Sequence, residues 1–257
     1  YDGAVYAIDD ADGTIRWRSK VSDAIGSSPV YHEGIVYIAT EYVTPSGGMA
    51  ALDAATGALI WEDNRMDKQA HSQTGIDTET RAFAAGCNDE NFYVWDLDTR
   101  EFRGAFETGG PIKGPSCMYD GMAIFGSWDA NVYAVNTDTV EEEWRYDVNA
   151  MVMAGAAVHP ESETVVIGAH DGNIYALDVA TGEFRWRFQT GGMVVGSPTV
   201  VGDTVLTGTY ADSLYAIDVE TGDERWEFAD PDGWVTGTPV VHGDDIYVTE
   251  RASDEST

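Results

Sequence analysis

Ala176-Leu-Asp178-Val-Ala-Thr181-Gly182-Glu-Phe-Arg-Trp186 is followed forty residues later by Ala216-Ile-Asp218-Val-Glu-Thr221-Gly222-Asp-Glu-Arg-Trp226, and this repetition decides the fold. Ala51 to Trp61 is a third full copy of the phrase Ala-x-Asp-x-x-Thr-Gly-x-x-x-Trp, and Ala7 to Trp17 departs from it only at Asp12. Ala134 to Trp144 keeps Thr139 but carries Asn136 and Val140 at the Asp and Gly positions. Val94 to Gly104 has lost the Ala, the Gly and the Trp. The closing positions 17, 61, 104, 144, 186 and 226 lie 44, 43, 40, 42 and 40 residues apart. That spacing matches the ~40–45-residue period of a four-stranded propeller blade and predicts an all-β chain, a β-propeller of four-stranded antiparallel blades.

Within one repeat the pattern predicts strands at 197–201, 205–209, 214–218 and 224–228. The second strand of a repeat, as in Val165-Val-Ile-Gly168, is apolar on both faces, as a strand covered by neighbouring blades must be. The last alternates, with Phe184, Trp186 and Phe188 on one face and Arg185 and Arg187 on the other, and so is the half-exposed outer strand. In the turn before it, Asp accepts backbone N–H groups a few residues on, and Gly supplies the positive φ of the hairpin. The tryptophan then lies against the adjacent blade, giving Trp17, Trp61, Trp144, Trp186 and Trp226 a structural role.

Aligning the repeats sets Tyr1-Asp-Gly-Ala-Val-Tyr6 on His170-Asp-Gly-Asn-Ile-Tyr175, so the chain enters before a third strand. It finishes on Thr238 to Thr249, a first and a second strand. The count is six of each pair, which predicts a single domain over residues 1–257 with six blades closed by pairing of its N- and C-terminal strands. The first residue is Tyr1 rather than methionine, so the chain is expected to be processed or part of a longer protein.

Acidic residues number 45 against 14 basic ones, a net charge of -31 that argues against nucleic acid as a partner. Because the acids are spread over all repeats, the expected setting is brine, with a halophilic archaeal source, rather than a local calcium cluster. Cys87 and Cys117 fall in unlike registers of neighbouring repeats, which disfavours a bridge between them, although the spacing alone does not settle it. No apolar run approaches the ~20 residues of a membrane helix, so neither membrane insertion by this segment nor a signal peptide within it is expected.

The phrase resembles the tryptophan-docking motif of the PQQ-like repeat family, and the resemblance covers essentially the whole chain. It implies a β-propeller. The family includes eight-bladed dehydrogenases that hold pyrroloquinoline quinone (PQQ) with calcium, an outer-membrane assembly lipoprotein whose propeller is a scaffold, and sensor domains of membrane-bound kinases. The dehydrogenases clamp their quinone with a disulfide between adjacent cysteines, which this chain lacks. The expectation is therefore no enzyme, no metal and no cofactor, with a PQQ- and calcium-dependent dehydrogenase or a ligand-sensing domain as the alternatives.

Function is expected where the repeats disagree. The loop after the second strand carries Asn88, Trp128, His170 and Tyr210, with Tyr42 opening a longer loop, and the connections between blades add His71, Lys113 and Trp234. Aromatic residues here predict a surface for a protein or peptide on the channel face, by a monomer at the cell surface. Asp129 and Asp171 are read as turn residues rather than calcium ligands, and no Gly-x-Ser-x-Gly, phosphate-binding loop or His-Glu-x-x-His occurs.

Overall fold

The computed structural model describes residues 2–44, 46–229 and 233–252. Strands β1 (Ala4–Ile8) and β2 (Ile15–Lys20) form a hairpin. Four-stranded antiparallel sheets follow: β3 (Val30–His32), β4 (Ile35–Tyr42), β5 (Ser46–Asp53) and β6 (Leu59–Met66), then β7 (Gly75–Asp77), β8 (Ala82–Gly86), β9 (Asn91–Asp96) and β10 (Phe102–Glu107). Next come β11 (Cys117–Tyr119), β12 (Met122–Gly126), β13 (Asn131–Asn136) and β14 (Glu142–Asp147), and β15 (Ala157–His159), β16 (Thr164–Gly168), β17 (Asn173–Asp178) and β18 (Phe184–Gln189). The last full sheet is β19 (Thr199–Val201), β20 (Thr204–Gly208), β21 (Ser213–Asp218) and β22 (Glu224–Ala229). β23 (Gly233–Val235) pairs with β26 (Glu250–Ala252), and β24 (Val240–His242) with β25 (Asp245–Tyr247). Strand order within every full sheet follows the chain, the meander of a propeller blade.

β1–β2 and β24–β25 are the half-blades that the repeat register predicts at the two ends. Each is its own two-stranded sheet, so pairing of the chain ends is not among the ladders of the described residues. Tyr6, Ile8, Ile15, Val240 and Tyr247 on these hairpins are exposed.

The chain forms two compact units, residues 1–123 with 135–141, and residues 124–134 with 142–257. The first has an aromatic core in which Phe83 stacks on Trp95 at 5.4 Å and Trp61 meets both rings edge-on, with Tyr37, Met49 and Met66 around them. The second is aliphatic, built on Val166, Ile174, Val194, Val205 and Ile217 beside Trp186 and Tyr215. The second strand Thr164–Gly168 is buried at every residue, whereas the fourth strand Phe184–Gln189 buries Trp186 and half-buries Phe188 between exposed arginines, as the hydrophobic pattern requires. Cys87 and Cys117 are both free thiols, and burial pushes the Cys87 thiol up to about 12.

The repeated phrase is a turn with a clamp. Asp178 Oδ1 accepts the N–H groups of Ala180 and Thr181 and the Thr181 hydroxyl, and Asp53, Asp96 and Asp218 accept the equivalent N–H groups. Its second oxygen takes an arginine seven residues on: Asp9–Arg16 at 2.6 Å, Asp96–Arg103 at 2.8 Å, Asp178–Arg185 and Asp218–Arg225 at 2.7 Å. These contacts hold the carboxyls down: Asp218, through Arg225 first and then the turn N–H groups, lies at about 2, and Asp96, through the Thr99 N–H first, also at about 2. A second lock joins Asp89, Asp129 and Asp171 to the hydroxyls of Tyr93, Tyr133 and Tyr175 four residues later.

The tryptophan closes the blade against its neighbour. Trp17 Nε1 donates to Ala54 O at 3.0 Å, Trp144 to Val179 O at 3.0 Å and Trp186 to Val219 O at 2.9 Å. In each case the glycine three residues beyond the accepting carbonyl lies under the ring. A Cβ on Gly57, Gly182 or Gly222 would come within 2.6, 2.6 and 2.7 Å of the Trp17, Trp144 and Trp186 rings. Glycine is required twice over there, by this approach and by φ values of +72°, +70° and +75°.

Two copies depart from this lock. Opposite Trp61 the glycine is replaced by Arg100 at φ +62°, and the carbonyl that would accept the indole, Leu97 O, takes the Tyr37 hydroxyl at 3.4 Å. Where the tryptophan is lost, Gly104 faces Val140, which stands at the turn glycine's position with φ +58° and Cβ 3.3 Å from where a Gly104 Cβ would be. Large and small have changed sides.

Candidate functional site

At the end of each inner strand a backbone hydrogen bond ties one blade to the next. In the second unit Val152 N donates to Ser127 O at 3.1 Å, Val194 N to Ala169 O at 3.1 Å and Val235 N to Thr209 O at 3.0 Å. His170 N donates back to Met151 O and Tyr210 N to Met193 O, both at 3.0 Å. Val152, Val194 and Val235 are fully buried over Gly126, Gly168 and Gly208, where no Cβ fits. Their neighbours Met151 and Met193 turn outward, while Trp234, and Trp128, His170 and Tyr210 one residue beyond each carbonyl, are half-buried.

The result is a row of soft and aromatic side chains on a rigid, hydrogen-bonded backbone. Met151 and Met193 are each 41% exposed. Tyr210 and Trp234 lie with ring centroids 4.7 Å apart, and the Arg251 guanidinium sits 6.0 Å from the Trp234 ring. His170 and Trp128 are half-buried; desolvation holds the His170 imidazole below its usual pKa, and its Nε2 has no hydrogen-bond partner among the described residues.

In the first unit the sequence-predicted residues gather in pairs. His71 Nδ1 lies 3.1 Å from Glu41 Oε1, an ion pair when the histidine is protonated, and the Tyr42 hydroxyl donates to Asn64 Oδ1 at 3.0 Å. Asn88 N donates to Gln69 O at 3.1 Å, and Asn88 Oδ1 is a buried acceptor with no partner among the described residues. Lys113 is half-buried beside Ile112, whose N–H donates to Cys87 O at 3.0 Å. Among the described residues, no group of three or more His, Cys, Asp or Glu could hold a metal ion. Tyr1 lies outside the described residues.

Sequence reasoning missed Met193 and Arg251. Met193 stands one repeat of 42 residues after Met151, so subtracting the period would have found it. The Arg251 contact had no signal in the repeat. Among the repeated tryptophans, Trp226 is 39% exposed, against 6% for Trp144 and 8% for Trp186.

A family model described as "Outer membrane protein assembly factor BamB" matches residues 1–99 and 128–254. Outer membrane protein assembly factor BamB of Yersinia pestis is 25% identical over 161 residues, which span 57% of this chain and 40% of that protein. The chain thus aligns with less than half of that relative's length. The crystal structure of BamB from Moraxella catarrhalis superposes with a TM-score of 0.79 at 19% identity, covering 96% of this chain and 74% of that one. The computationally designed Ika8 protein gives 0.81 at 15% identity with the same coverage, so these two likenesses speak for the fold alone. With the repeated turn, the four-stranded antiparallel blades and a family match over most of its length, the chain belongs to the family of the outer membrane protein assembly factor BamB.

Proposed function

We propose that this chain is a protein-binding propeller that holds an extended segment of a partner protein along the Met151–Trp234 row of its second unit and carries out no catalysis. The observation that carries this is the row itself: two exposed methionines and a Tyr210–Trp234 pair on backbone locked from blade to blade, in a chain of net charge -31. Methionine adapts to varied apolar partners and paired aromatics supply contact area at low entropic cost, which suits a factor that handles several chains. The acidic field favours segments in which apolar residues are interspersed with lysine or arginine. The relatives are named as outer membrane protein assembly factors, and we carry that role over as assistance to a partner's assembly at an exported or cell-surface location. Spread of acidic residues over all repeats supports a high-salt setting of the kind halophilic archaea inhabit.

Fluorescence polarisation with labelled extended peptides of alternating aromatic and basic residues, in molar salt, tests the site. The Tyr210→Ala/Trp234→Ala variant should weaken binding about tenfold or more, the cost of removing a central aromatic pair. Equal affinity for wild type and variant would remove the row from the binding surface. Quinone absorbance and dye-linked alcohol oxidation with added PQQ and calcium test the absence of catalysis, and turnover would overturn it.

A further inference from the structure

The seven methionines are not alike in what covers them. Met49 and Met66 are fully buried, Met118, Met122 and Met153 are half-buried, and Met151 and Met193 are each 41% exposed. The two exposed ones come from a single local design. Asn149 and Gly191 take positive φ values of +61° and +80°, and two residues later each methionine gives its carbonyl to a backbone N–H, of His170 and of Tyr210, at 3.0 Å. The next residue, Val152 or Val194, is buried over a glycine. A Cβ on Gly192 would lie 2.5 Å from Ala211 N, so the chain runs hard against its neighbour just before Met193. With the carbonyl bonded and the following side chain seated, each thioether is left on the open side of a fixed backbone. Of the two thiols, Cys117 is half-buried, and Cys87 is buried and held protonated by a pKa pushed up to about 12, which leaves it little of the reactive thiolate.

We propose that Met151 and Met193 form a reversible oxidation site for hydroperoxides, at which conversion of both thioethers to sulfoxides releases the segment held on the row. Release rests on the row being a binding surface, whereas the order of oxidation does not. In the forward step a lone pair of Sδ attacks one peroxide oxygen: the S–O bond forms, the O–O bond breaks, and hydrogen peroxide leaves as water. Sulfur loses two electrons and the peroxide gains them. The product is polar and chiral where the thioether was apolar and adaptable, so a partner packed against it faces an acceptor oxygen that it cannot leave in water. In the return step two thiols of a sulfoxide reductase take the oxygen off as water and become a disulfide. Such an enzyme must reach the sulfur, as it can at an outward-facing side chain and cannot at Met49 or Met66. Both oxidisable sulfurs thus lie on the row, while the methionines of the aromatic core are shielded.

The experiment treats the full chain in molar salt with hydrogen peroxide and quenches it at intervals. Peptide-map mass spectrometry gives the sulfoxide at each methionine, and fluorescence polarisation with the labelled aromatic–basic peptides gives the affinity of each sample. Met151 and Met193 should oxidise about tenfold or more faster than Met49 and Met66. Affinity should fall about tenfold or more in step with them. Reductases for both sulfoxide epimers, supplied with dithiothreitol, should restore it. Met151→Leu/Met193→Leu keeps apolar bulk and removes both sulfurs, and its affinity, whatever its starting value, should be the same before and after peroxide. Circular dichroism establishes that the oxidised chain stays folded. Even oxidation of all seven methionines, or prior oxidation of Met118, Met122 or Met153, would overturn the site. Full oxidation of the pair without loss of affinity, a loss the reductases do not reverse, or an equal loss in the leucine variant would overturn release. An untreated chain that binds none of the peptides refutes the row as a binding surface, and release with it, while the map still decides the order of oxidation.

Discussion

Trp186→Ala and Trp226→Ala remove the same side chain from the same place in the same phrase, so their difference isolates what the lock contributes. Trp186 is 8% exposed and donates to Val219 O at 2.9 Å over Gly222, while Trp226 is 39% exposed and meets no glycine. The additional burial is roughly a third of a side chain that buries about 250 Å², or ~75 Å² and ~2 kcal/mol at ~25 cal/mol/Å². The indole–carbonyl hydrogen bond adds about 1 kcal/mol, and its loss strands a carbonyl. Trp186→Ala should therefore cost about 3 kcal/mol more than Trp226→Ala, within the ~3–5 kcal/mol range of buried tryptophan truncations. Urea unfolding in molar salt reads this as a midpoint about 1 M lower if m is near ~3 kcal/mol/M. Equal midpoints for the two variants would refute the claim that the glycine-and-carbonyl seat, rather than the tryptophan alone, stabilises the blade contact.

The inverted pair gives a second prediction: Gly104→Trp alone should destabilise strongly against Val140, whereas Gly104→Trp with Val140→Gly rebuilds the lock, so a double-mutant cycle should show coupling of about 2 kcal/mol. Acid sensitivity follows from the clamps. The folded-state values of Asp96 and Asp218 are depressed to about 2 from 3.8, so their stabilisation is present above the unfolded value and is lost as pH falls from there through about 2. Unfolding midpoints in molar salt, which mutes general charge repulsion, should fall through that window, and Asp218→Asn should flatten part of the fall. Finally, the melting temperature should rise as salt is raised to molar concentration, because screening relieves the repulsion of a chain at -31; a melting temperature indifferent to salt would contradict the brine assignment.

Most of the architecture was legible because a repeat states each rule several times. The Asp-x-x-Thr-Gly turn, the outer-strand alternation and the blade boundaries all follow from residues recurring in register, and strands foreseen at 197–201 and 214–218 lie at Thr199–Val201 and Ser213–Asp218. Contacts between repeats were less legible. Trp226 has the same phrase around it as Trp186, yet it is 39% exposed against 8%. Arg16, Arg103, Arg185 and Arg225 alternate like any half-exposed strand residues, so their clamp on the turn aspartate needed coordinates. For the candidate site, Trp128, His170, Tyr210 and Trp234 were found as positions where repeats disagree. Met193 was hidden because it agrees with Met151, and sequence variability does not reveal a functional residue that repeats.

The exchange of sizes at Gly104 and Val140 bears on how a chain of near-identical pieces avoids assembling in the wrong order. Repeats with interchangeable edges can swap neighbours during folding, a known failure of such arrays. A fourth strand ending on glycine leaves a hollow that a turn bearing valine can fill, whereas a turn bearing glycine would leave it empty. The valine turn in its place would collide with any of the indoles at Trp17, Trp144 or Trp186. One mismatched edge thus acts as an address written into the series, fixing which two blades can meet at that join.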